Sequence, residues 1–312
     1  MAGFCMTGSL NGESLNDKEA EVPFARVWRV LVTAFNGWLD DRAASMGAAI
    51  AFYTLFSMAP MLLLIIAVAG LVFGPEAAQG ALMGQLEGLM GREGAAALQA
   101  MIASAGQPVT GTIATVVALA TLIVGATTVF AELQASLNVI WKAEPPKEPS
   151  IVWLVRVRLL SLSLIGAIGF LLLVSLVVSA VLAALSDYLA GIMPGLDVIM
   201  QVVNLLISLA VITTLFAMIY KVLPDVKIPW RDVWFGSFIT AVMFSVGKLL
   251  IGLYLGSSNV ASAYGAAGAL VIVLMWVYYS SQIFLFGAEI TRAFSLFQGS
   301  RAGRQAAQAA SR

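Results

Sequence analysis

Lys248 stands alone among apolar residues in FSVGKLLIGLYLG, residues 244 to 256. An ammonium there can meet an anionic group such as a phosphate or carboxylate. On a helix it shares one face with Ser237, Ala241, Ser245 and Gly252, a small and polar strip. A second set mixes acids and bases. Thr121, Gly125, Thr128 and Glu132 recur at spacings of four, three and four, and Tyr278, Gln282, Leu285, Glu289 and Arg292 repeat the pattern. With Asp40, Asp41 and Arg42 they form a network suited to a headgroup or an ion, or one that anchors helix ends by mutual pairing. A third set, Tyr53, Ser57 and Pro60, lies in AFYTLFSMAPMLLLI. Pro60 removes a backbone donor and leaves the Phe56 carbonyl without its helical partner, so a kink or local unwinding follows. Such a break serves either a substrate path or static packing.

The missing residue types narrow the chemistry. The chain has no histidine and a single cysteine, Cys5. Ser-His and Cys-His nucleophilic pairs, HExxH metal sites, zinc clusters and an intrachain disulfide are therefore excluded, and no metal or cofactor is expected. Seventeen basic residues balance seventeen acidic ones, so no overall basic excess points to nucleic acid.

The elements that must position these residues are membrane helices. The 312 residues are 60% hydrophobic and 11% charged, and a bilayer-spanning helix needs roughly 20 apolar residues. Six segments reach that length: 46–73, 110–131, 159–185, 199–220, 234–255 and 264–287. Of the 17 Lys and Arg residues, only Arg92 and Lys248 fall outside the N-terminal region, the second and fourth loops and the C-terminal tail. The positive-inside rule then puts both termini in the cytoplasm. The expected fold is an all-α polytopic bundle of six transmembrane helices over residues 25–296, with disordered cytoplasmic tails at 1–24 and 297–312. No apolar signal-peptide core precedes it. The external stretch 74–109 reads as an ordinary packed loop or as short helices on the outer leaflet. KAEPPKEPS reads as a stiff cytoplasmic turn, GSSNVAS as a tight hairpin, and Gly166, Gly169, Gly265 and Gly268 as points of close helix packing.

This topology sets the depth of the lysine. A span of 22 residues is on the order of 33 Å long, which leaves Lys248 roughly 10 Å from the outer end. A central lysine costs about 2.5–3.5 kcal/mol, whereas each Leu, Ile, Phe or Val returns about 0.3–0.6. The eleven such residues in this span let it insert, without explaining the lysine. Three readings stand: an outward-opening aqueous cavity, a lysine satisfied by hydroxyls and carbonyls, and snorkelling to outer headgroups.

AFYTLFSMAPMLLLI, YKVLPDVKIPWRDVWFG, GKLLIGLYLG and ASAYGAAGALVIVLMWVYYSSQIFLFGAEITRAF, in that order over residues 40–296, resemble the YihY/BrkB family of bacterial inner-membrane proteins. That group includes chains called virulence factors and was long mislabelled as ribonuclease BN. The resemblance implies a six-span protein of poorly defined activity, with links to lipid transport and the cell envelope. It carries over no catalytic residues.

Two functions follow as expectations. One is a transporter or flippase of an anionic lipid or other amphiphile in the inner membrane, with Lys248, Ser245, Gly252, Tyr53, Ser57, Pro60 and Gln282 along its path and Asp40, Asp41, Arg42, Glu132, Glu289 and Arg292 at its inner mouth. No GxxxxGK[ST] loop is present to power it. The other is a non-transporting scaffold or envelope assembly factor. Enzymatic activity, including ribonuclease activity, is not expected. The expected partners are membrane lipids, with self-association left open and no nucleic acid.

Overall fold

The computed structural model describes residues 23–105, 112–143, 196–257 and 268–298, with scattered positions between 155 and 174. The tails and the 144–150 and 258–267 connections lie outside these, as does most of the third expected span. Every described element is helical: α1 (Pro23–Asp40), α2 (Ala43–Phe73), α3 (Pro75–Ala105), α4 (Thr112–Ile140), the short α5 (Leu162–Leu171), α6 (Leu196–Val222), α7 (Trp230–Ser257) and α8 (Gly268–Phe297). Among the described residues α4, α6, α7 and α8 are long and apolar enough to cross a membrane. The two halves of α2 together make a fifth.

Several helices overrun the expected spans. α4 continues to Ile140 and α8 to Phe297, so Glu132, Glu289 and Arg292 sit inside helices rather than at their ends. A hydrophobic window stops at the first charges, but a helix stops only where backbone pairing fails. Residues 75–105 also differ from the expected loop or short helices, forming one helix that lies along α2 and reaches α8. Its start is sharp because Gly74 takes a left-handed φ of 84° and Pro75 opens the next helix without needing a donor. α2 bends by 50° between Met58 and Met61, where Pro60 interrupts the ladder.

α1 was not among the expected elements. Val30, Ala34 and Gly37 face α8, and Val27, Leu31, Phe35 and Leu39 stand exposed on another side. Arg29, Asn36 and Asp40 occupy a third. A helix with one protein face, one apolar face and one polar face suits the boundary between hydrocarbon and water.

α8 is the hub, packed against α1, α2 and α7. Glycines allow the close approach. A Cβ on Gly236 of α7 would overlap Thr291 of α8, and a Cβ on Gly287 of α8 would overlap Thr240 of α7. The two antiparallel helices thus exchange one Gly-xxx-Thr motif each. Each threonine hydroxyl is satisfied by donating to the carbonyl four residues back, Thr240 to Gly236 and Thr291 to Gly287, both at 2.7 Å. Tyr220 of α6 closes this layer by donating to the Phe284 carbonyl at 2.6 Å, with Thr240 Oγ1 3.2 Å away. Gly166 and Gly169, expected at close contacts, have no atoms within 4 Å of an added Cβ.

Candidate functional site

Two reversals of chain direction build a charged cluster at one end of the bundle. At the first, the Asp41 amide donates to the Gly37 carbonyl and closes α1, Arg42 turns into the left-handed region (φ 53°), and its carbonyl accepts from Ser45 and Met46 to start α2. At the second, Lys142 adopts φ 50° beyond the end of α4. The Ala143 amide donates to the Asn138 carbonyl and the Lys142 amide to that of Val139. This is a Schellman closure with lysine where glycine is usual. A non-glycine residue there is strained by about 1–2 kcal/mol, which other contacts must offset. The Lys142 ammonium is ion-paired with Asp41 Oδ1.

Arg292 of α8 completes the cluster. Its Nη1 lies 3.8 Å from Asp41 Oδ2 and 3.5 Å from Glu289 Oε2. Glu289 is 1% exposed, its carboxylate laid against the α1 backbone, where a Cβ on Gly37 would come 2.5 Å from Oε2. Among the described residues Glu289 Oε1, Asp41 Oδ2 and Arg292 Nε are buried without a hydrogen-bond partner. The cluster therefore balances its charge but not its hydrogen bonds. Breaking one buried pair in such a place costs about 3–5 kcal/mol.

The structure thus brings together Asp41, Glu289 and Arg292 of the expected inner-mouth residues and adds Lys142. Asp40 and Arg42 are exposed beside them, and Glu132 is half-buried in α4 with no ion pair among the described residues. About two turns from Glu289 on the same face of α8, Gln282 sits against Gly47 of α2. Its Nε2 makes a long 3.5 Å contact to the Ala44 carbonyl, and its Oε1 is buried with no partner among the described residues. Gln282 also borders an open cavity of about 280 Å³ whose other walls are Phe35, Trp38, Met243, Ile283 and Phe286, almost wholly apolar. In α2, Ser57 is buried and Tyr53 is 38% exposed.

The α7 strip grades along its length. Ser237 and Ala241 are fully buried, Ser245 and Lys248 are half-buried, and Gly252 is exposed with nothing within 4 Å of an added Cβ. Ser245 donates to the Ala241 carbonyl at 2.8 Å. No described residue forms an ion pair with Lys248. No group of three metal-ligating side chains converges among the described residues.

The family model described as "Virulence factor BrkB" matches residues 34–311, from within α1 through the whole bundle. The chain belongs to the virulence factor BrkB family. It is similar to the UPF0761 membrane proteins of Yersinia pestis (strain Pestoides F) and Yersinia pseudotuberculosis serotype O:1b (strain IP 31758), each 29% identical over 191 residues, 60% of this chain. The match spans about 61% of the length of those relatives. No solved structure matches the chain. This BrkB-family chain is a membrane protein, and the buried cluster joining its first helix pair to its last helix lies within the matched region.

Sequence reasoning missed Lys142 because it counted that residue as a loop charge. The usable signal was the run Gln134, Asn138 and Lys142 on one face at the end of α4. Asn138 and Gln134 clasp Asp225 of the α6–α7 connection, with Asn138 Nδ2 at 2.8 Å and the Asp225 amide donating back to Asn138 Oδ1 at 2.9 Å.

Proposed function

We propose that this BrkB-family protein moves an anionic lipid or similar amphiphile across the bacterial inner membrane, with the Asp41 cluster on the cytoplasmic side. The carrying observation is the α7 strip, packed at Ser237 and Ala241 and open by Gly252, with Lys248, which has no ion pair among the described residues, where it opens. A half-buried ammonium on a small polar face suits an anionic headgroup passing along that face. The apolar cavity between α1, α7 and α8 offers room for acyl chain beside Gln282, and the 50° bend in α2 gives the bundle a discontinuous helix.

The competing reading is a scaffold that transports nothing. It draws on the interlocked Gly236–Thr291 and Gly287–Thr240 contacts, which hold α7 firmly to α8. Reconstitution separates the two. Vesicles containing the wild-type protein should exchange a labelled anionic lipid between leaflets faster than empty vesicles, and Lys248→Ala should remove most of that gain. Equal rates with and without protein would leave the scaffold.

A further inference from the structure

The charged cluster contains an asymmetry. Asp41 has two cations, Lys142 paired with Oδ1 and Arg292 facing Oδ2, whereas Glu289 has a share of Arg292, Lys142 only at longer range and the Asp41 carboxyl as its hydrogen-bonding neighbour. The single atom Arg292 Nη1 serves both acids, at 3.5 and 3.8 Å. Both distances exceed the roughly 2.7–2.9 Å of a committed charge-assisted hydrogen bond. Arg292 is therefore poised between two carboxyl groups on different elements, one on the α1–α2 joint and one on α8. Glu289 is 1% exposed, and its Oε1 has no partner among the described residues. A carboxyl oxygen away from water needs a donor, and Gly37 of α1, which lies beside both carboxyl oxygens, supplies none to Oε1.

We propose that Glu289 binds an exchangeable proton on Oε1, and that Arg292 moves between Glu289 when the carboxylate is bare and Asp41 when the proton is bound. The proton comes from and returns to water at this end of the bundle, and its arrival changes the cluster from neutral to one positive charge. The charged groups acting on Glu289 are Arg292 on its own helix, Asp41 from the α1–α2 joint and Lys142 from α4. α7, packed on α8 through Gly236 and Thr291, carries the buried Asp232 one turn before Gly236. Because Asp41 sits where α1 meets α2, a proton on Glu289 would tighten that joint against α8 and its loss would release it. As a coupling device for transport this rests on the function proposed above; as a proton site it does not.

Infrared difference spectroscopy of the full chain in lipid nanodiscs tests it by following the carboxylic-acid C=O stretch through a pH titration. Subtracting the Glu289→Gln titration from that of the wild type should leave a band that disappears as pH rises, and Glu132→Gln should keep that component. Asp41→Asn removes a negative neighbour and frees Arg292 for Glu289, so the midpoint should move to lower pH. Lys142→Gln turns Arg292 toward Asp41 and should move it to higher pH. Each shift should be about tenfold or more in proton concentration. A wild type whose titration matches that of Glu289→Gln, or neighbours whose replacement leaves the midpoint unmoved, would overturn the proposal. The last comparison holds even if Glu289→Gln fails to fold. A Glu289-dependent band in a protein that moves no lipid would retain the proton site and remove only the transport reading.

Discussion

Replacing Gly287 by alanine should damage the bundle far more than one added methyl group suggests. The new Cβ would overlap Thr240 Oγ1 and come within 2.8 Å of both Thr240 Cγ2 and the Tyr220 hydroxyl. Neither neighbour can yield cheaply. Thr240 is β-branched, fully buried and bonded to the Gly236 carbonyl, and Tyr220 is 1% exposed and bonded to the Phe284 carbonyl. Overpacking contributes about 1–3 kcal/mol, and a displaced, unsatisfied Tyr220 hydroxyl adds about 1–3 more. The expected loss is about 2–6 kcal/mol. Gly252→Ala is the control: its methyl enters open space, and its higher helix propensity should leave stability unchanged or raise it by up to about 1 kcal/mol. Reversible unfolding in mixed micelles, followed by tryptophan fluorescence, measures both. Thr240→Ala removes the obstructing atoms, so the Gly287→Ala/Thr240→Ala double variant should lose less than the sum of the singles. Equal stability of Gly287→Ala and Gly252→Ala, or strict additivity in the cycle, would refute the interlocked packing.

Lys142→Ala should destabilise by about 3 kcal/mol, the low end for a buried pair because Lys142 is 28% exposed. Lys142→Gly should cost less, since glycine relieves the left-handed backbone; the same unfolding assay compares them. Asn138→Ala should weaken the hold on Asp225 by about 1–3 kcal/mol, and limited proteolysis should then cut faster between residues 223 and 229. Asp40→Cys in a Cys5→Ser background should react with a membrane-impermeant maleimide in inverted vesicles and not in intact spheroplasts, which checks that this end of the bundle faces the cytoplasm.

The sequence carries the spans at α2, α4, α6, α7 and α8 plainly, because a helix crossing hydrocarbon must be apolar over its whole length. Pro60 is legible for a similar reason: a missing donor has a local consequence. The meeting of Asp41, Glu289 and Arg292 could be expected from topology, in which α2 starts at the end of the bundle where α8 finishes. The partner that completes the cluster could not. Lys142 reaches Asp41 across 101 positions only because α4 overruns its apolar window and ends in a left-handed turn. α1 escaped because its apolar residues are split between a protein face and an exposed face, so no long hydrophobic run marks it. The glycine contacts had a signal that spacing alone makes visible in retrospect. GSFIT at 236–240 and GAEIT at 287–291 are the same Gly-xxx-Thr pattern on two helices.

The transport reading depends most on water reaching Lys248 from outside the cell. Lys248→Cys, again with Cys5→Ser, allows one reactive thiol to be probed from each side with permeant and impermeant maleimides. The account expects labelling by the impermeant reagent from the outer face. Labelling by the permeant reagent alone would put the water access on the inner side, labelling by neither would place residue 248 in lipid or in a dry interior, and either result would contradict it.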